Sequence, residues 1–193
     1  MTNTTATAPI TTPLTTGRWA IDPAHTIVGF TVRHLGLAKV RGRFDAVAGF
    51  VEVADGVETT RVEADVALSS VATGNADRDA HLQSSDFFNA TTNPTMRFVS
   101  TSISARDEDY TLVGDLTING ITKPVELEVE FFGTSTMPSD QSTRAGFSAS
   151  GALSRKDFGI EFNVPLGGDK VMISDKVILE LDVQLVAPAT VDA

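Results

Sequence analysis

The chain has 193 residues, 41% hydrophobic and 21% charged, values that suit one globular domain with a core large enough to stand without staples. It contains no cysteine, which excludes disulfides and thiolate metal sites. Its formal net charge of -10 argues against nucleic acid as a partner and against electrostatic docking on anionic lipid, but not against an apolar or neutral ligand held inside the fold.

Residues 1–16 are rich in Thr, carry Pro9 and Pro13, and hold neither Lys nor Arg nor an apolar run. They read as a disordered tail rather than a secretory leader, so the expected location is cytoplasmic. No run approaches the roughly 18–20 apolar residues of a membrane helix, so no transmembrane segment is expected. From there the dominant signal is period two. Residues 26–34 place Val28, Phe30, Val32 and His34 on one face. Residues 42–53 follow, with Phe44, Ala46, Ala48 and Phe50 together and Asp55-Gly56 as a turn. In residues 61–69, Val62, Ala64, Val66 and Leu68 oppose Arg61, Glu63 and Asp65. Strands are expected over 96–105 and 110–118, the latter with Leu112, Gly114, Leu116 and Ile118 on one face. Asn119-Gly120 is the strongest hairpin signal, returning into Val125, Leu127, Val129 and Phe131. Residues 144–154 carry Ala145, Phe147, Ala149, Gly151 and Leu153 on one face, and residues 175–186 carry Val177, Leu179, Leu181, Val183 and Leu185. These strands make one all-β domain over residues 17–188, an eight-stranded antiparallel sandwich or closed barrel, with a short tail over 189–193.

Residues 75–84 interrupt the pattern with a helix. Asn75 or Thr73 can cap it, and Asp77 and Asp79 fall in the first turn, where the helix dipole favours acids. Asp77 and His81 share a face; Phe87 and Phe88 follow.

Small residues on the apparent inner faces (Ala46, Ala48, Gly114, Ala145, Ala149, Gly151) favour a cavity over a filled core, since an eight-stranded barrel has room for either. The competing reading is that they offset bulky Phe residues. His25, His34 and His81 show no short metal-ligand spacing. The parity of His34 puts it at the mouth of the interior. Asp79 and His81 could form an acid–base pair, but no nucleophile motif accompanies them. Arg155 could bind an anionic head group, or pair with Asp157 or Asp86 to fix a loop.

Trp19-Ala20-Ile21-Asp22-Pro23-Ala24-His25-Thr26, Phe30-Thr31-Val32-Arg33-His34, Asp77 to Leu82 with Asp86-Phe87-Phe88, the hairpin from Gly114 to Val125, and Arg155-Lys156-Asp157-Phe158-Gly159 occur in this order. In them the sequence resembles the YceI-like family, the lipocalin-like polyisoprenoid-binding proteins of bacteria, from Trp19 to about Val186. The resemblance implies an extended antiparallel barrel whose apolar tunnel holds a long isoprenoid, such as a quinone or polyprenyl phosphate. It implies neither catalysis nor a cofactor. Parity and motif position then nominate Phe30, Phe98, Phe147 and Phe158 along the tunnel, and His34, Arg78, His81 and Arg155 at its mouth. The rivals are an enzyme acting on an apolar substrate with His81 and Asp79, and a stress-related structural barrel. A homodimer, edge-paired or end-to-end, is compatible with the pattern.

Overall fold

Strands that are apolar on one face must bury that face, and eight of them can do so by closing on themselves. In the computed structural model, which describes residues 13–106, 109–168 and 170–189, they do so. The strand segments are β1 Gly17–Ile21, β2 Ile27–His34, β3 Ala38–Phe44, β4 Val47–Val53, β5 Arg61–Ala67, β6 Val71–Ala72, β7 Thr95–Arg106, β8 Asp109–Ile118, β9 Ile121–Thr136, β10 Thr143–Ser154 and β11 Lys176–Val186. A single α-helix among the described residues, α1, spans Ala76–Gln83.

All pairings are antiparallel, and β1 with β2, β3 with β4 and β5 with β6 each form one bent ribbon. The barrel therefore has eight ribbons in sequence order. It closes where β11 pairs with β1 (Ala20↔Val186) and with β2 (Leu179↔Phe30). The breaks in the second and third ribbons are coupled: Asp45 N–H donates to the Ser70 carbonyl at 3.1 Å, and Ala67 N–H to the Ala46 carbonyl at 3.0 Å.

The break at Asp45-Ala46 corrects the sequence reading. Phe44 is buried, but so are Val47 and Val53, while Ala46 and Ala48 are exposed. Phe50 faces outward too, beneath the Arg18 guanidinium at 3.8 Å. The unpaired step at the bend shifts the phase by one residue, which exchanges the faces of every later position. A second bulge, between Gly146 and Phe147, leaves Phe132 without a partner on β10 and exposed.

Asn119 and Gly120 adopt φ of 53° and 74°, the left-handed pair that a two-residue β8–β9 hairpin demands. In α1 the cap is Asn75, whose Oδ1 accepts from the Arg78 N–H at 2.9 Å. The tail expected over residues 1–16 lies outside the described residues up to residue 12. Within 13–16, Leu14 packs against the core and the Thr15 carbonyl accepts from the Trp19 indole at 2.8 Å. The end expected over 189–193 lies outside the described residues from residue 190.

Candidate ligand-binding cavity

The inward faces converge from both ends of the barrel, with different outcomes. At one end Trp19, Val53, Ala145 and Leu185 pack to near-complete burial, joined by Phe131 and Phe147 with ring centroids 4.9 Å apart. That end is plugged. Beyond the plug, the faces of β2, β5, β8 and β11 surround a cavity of about 500 Å³, within the usual range for small-molecule sites. The polar side chains along its wall are Thr26, Arg33, His34, Thr73, Arg78, His81 and Arg155; among the described residues no carboxylate lines it.

The cavity exists, but not for all the reasons the sequence suggests. A methyl group at Gly114 would overlap the Phe98 ring and lie 2.7 Å from the Val99 carbonyl. One at Gly151 would lie 2.8 Å from a Leu127 methyl. Both glycines make room for a large neighbour, as interdigitation requires. Ala145 belongs to the plug, and Ala46 and Ala48 face outward. Of the small residues singled out by sequence, Ala149 lines the open space; Ala64 does so as well.

Seven of the eight nominated side chains border this cavity: Phe30, His34, Arg78, His81, Phe98, Arg155 and Phe158. Phe147 does not; the same alternation that points it inward places it at the plugged end.

The mouth is organised by α1 and the segment after Phe158. His81 Nε2 lies 2.9 Å from Asp86 Oδ2, and its ring meets Phe87 and Phe162 edge-on at 5.0 and 4.9 Å. It therefore joins α1 to the later segment. The Asp79–His81 pair of the rival enzyme reading does not form: Asp79 Oδ1 accepts from the Thr73 backbone N–H at 2.9 Å. Arg78 spends Nε and Nη2 on the Thr73 hydroxyl and carbonyl, at 2.7 and 2.8 Å.

Arg155 is buried, and its partner is neither Asp157 nor Asp86. It donates to the carbonyls of Ser174, Ile160 and Phe162 at 3.2, 2.8 and 2.8 Å, and to Asp175 at 3.0 Å. A fork so engaged fixes the loop that forms the mouth, leaving little donor capacity for a head group. The hydrogen bond from Lys156 is the largest influence on Asp175. With the charges of Lys156 and Arg155 it outweighs burial and holds this carboxyl below the ordinary carboxylate range. At the break between β1 and β2, burial pushes Asp22 up. Hydrogen bonds from His25 and the Ala24 N–H, with the charges of His25 and Arg144, more than offset it, and its pKa too is lowered.

The sequence did not place Thr73, Phe162, Met172 or Ile173 on the cavity wall. They stand outside regular alternation, and Ile173 reaches the wall only by bridging to His34 across the barrel closure.

A model of the YceI-like domain matches residues 19–185. A UPF0312 protein of Photorhabdus laumondii is 38% identical over 148 residues, covering 76% of each chain. A Campylobacter jejuni YCEI crystal structure matches with TM-score 0.67 at 28% identity, covering 81% of this chain and 90% of that one. A polyisoprenoid binding domain from Saccharophagus degradans, implicated in plant cell wall breakdown, shares the fold with TM-score 0.65 at 18% identity, covering 88% and 98%. The plugged lipocalin-like barrel, its ordered motifs and these matches agree: this chain belongs to the YceI-like family.

Proposed function

We propose that the barrel binds one long-chain isoprenoid or similar amphipathic lipid, of the quinone or polyprenyl phosphate type, for carriage, storage or sequestration. The observation that carries this reading is the cavity: about 500 Å³, blind at the Trp19 end and walled almost wholly by aliphatic and aromatic side chains. Such a wall favours an apolar chain through desolvation alone. About ten buried methylenes at ~0.8 kcal/mol each supply ~8 kcal/mol, the micromolar range before association costs are subtracted. The polar side chains at the wall are cationic or neutral, which suits a phosphate or a quinone carbonyl better than a cationic head group. His34, whose imidazole has no hydrogen-bond partner among the described residues, and Arg78 are the groups we assign to that contact.

The reading is of a binding protein rather than an enzyme. The carboxylate nearest in sequence to His81 on α1, Asp79, is committed to Thr73, and Asp86 faces His81 in an exposed pair. The test is displacement of a fluorescent polyene from the purified protein by polyprenols of increasing length. Affinity should rise with each isoprene unit and level off once the blind cavity is filled. Affinity independent of chain length refutes the reading.

A further inference from the structure

Eight large apolar side chains stand exposed on the described surface, and five of them fall on two short segments. Leu35 and Leu37 form the β2–β3 turn; Val164, Leu166 and Val171 belong to the hairpin before β11. Leu37 is 80% exposed and the other four lie between 40% and 45%. The two segments are one surface. Leu35 N–H donates to the Met172 carbonyl at 2.7 Å, Met172 N–H to the Val164 carbonyl at 3.0 Å, and Pro165 bridges to Val171. His34 and Ile173, which line the cavity, bridge to each other within the same ladder, so this apolar surface borders the mouth.

Its charge is of one sign on the β2–β3 side; the other segment holds both signs in sequence, Glu161 and Asp169 with Lys170. Between Asp22 and Asp45 the sequence holds no carboxylate and four cations, Arg33, Lys39, Arg41 and Arg43. Arg43 pairs with Asp45. Arg33 reaches the Leu37 carbonyl at 3.4 Å, and Lys39 and Arg41 are exposed without an ion pair among the described residues. Along β3 they follow Leu37 by about 7 and 14 Å at ~3.4 Å per residue, so Lys39 acts within a Debye length of the tip, whereas Arg41 lies farther back, opposite Thr31, whose hydroxyl donates to Glu180. Nearby, Asp175 is already neutralised by Arg155 and Lys156. The net charge of -10 describes the whole chain; beyond a Debye length of about 8 Å its distant acids are screened from this tip.

An apolar tip backed by free cations is complementary to a bilayer surface bearing phosphate head groups. We propose that the mouth docks on an anionic bilayer, so that a lipid tail passes from membrane to cavity without crossing water. This rests on the lipid-binding reading above. A partner protein with an apolar face would not require the cations.

The experiment uses the full chain and sucrose-loaded vesicles, of phosphatidylcholine alone or mixed with phosphatidylglycerol. The expected result is sedimentation with the mixed vesicles, at least about tenfold weaker with phosphatidylcholine alone, for Lys39→Glu with Arg41→Glu, and for Leu37→Glu with Leu166→Glu. Both double variants should take up a fluorescent isoprenoid from detergent micelles as the parent does. The docking proposal is overturned if the parent does not sediment, sediments equally with both vesicles, or sediments equally after either double substitution. It is also overturned if the apolar substitutions abolish only self-association, seen by gel filtration. Failure of the parent to load from micelles counts instead against the cavity reading.

Discussion

Ala149 offers the sharpest perturbation of the cavity. Its side chain lies on β10 between Val129 and Leu181 on the neighbouring strands, and it faces the open space. Ala149→Leu adds three carbons that occupy space otherwise held by ligand. At ~0.8 kcal/mol per methylene displaced, about 2.4 kcal/mol of binding is lost, or roughly 60-fold in affinity. The new atoms enter a void, so the ligand-free protein should melt no lower than the parent. Gly114→Ala is the contrasting control. It is a smaller change on an inner face, but its methyl would overlap the Phe98 ring, so it should cost about 1–3 kcal/mol of stability through overpacking. Displacement titration and thermal melting of both variants check the pair. A 149 variant that melts several degrees lower while binding as the parent does would refute the cavity as the binding site.

Arg155→Ala should destabilise the protein by about 3 kcal/mol, because it leaves the carbonyls of Ser174, Ile160 and Phe162 without their donor, while Asp175 keeps Lys156. Denaturant titration measures this, and Arg155→Lys should recover only part of the loss. Asp22 and Asp175 have lowered pKa values in the folded state, so the unfolded chain binds more protons in that range. Their stabilisation is complete above the unfolded carboxyl pKa and should disappear as pH falls below about 4; Asp175→Asn should melt lower at neutral pH and lose less on acidification. His81→Ala removes two edge-on aromatic contacts of about 1 kcal/mol, so amide exchange in α1 should quicken by about fivefold or more.

Most of the barrel was legible because the burial pattern has a strict period. On β5, β8 and β11 the predicted inner faces line the cavity, except Gly114, which is covered by the Phe98 ring, and Leu68, which lies past the end of β5 and is buried in the core. What period two could not show was a change of phase. Nothing in Phe44-Asp45-Ala46-Val47 marks the break locally, because the carbonyl and hydroxyl of Ser70, on another ribbon, satisfy the bent backbone. The cavity was inferred from small residues, yet Gly114 and Gly151 are consumed by Phe98 and Leu127; sequence lists volumes, not which side chain leans into which gap. Likewise a loop-fixing role for Arg155 was legible, but not its partners: Asp175, twenty positions later, and three loop carbonyls stand where Asp157 or Asp86 was expected. Local chemistry narrowed the helix cap to Asn75 or Thr73, but the choice of Asp86 over Asp77 or Asp79 for His81 depended on how the chain leaves α1.

Native mass spectrometry of the protein purified without detergent, with solvent extraction of what it carries, decides whether the barrel holds a lipid. A single adduct per chain is expected, identified in the extract as a long-chain amphiphile, with a two-state melt that falls when it is stripped. A chain that is empty as isolated, and that takes up no isoprenoid when one is supplied, would contradict lipid binding.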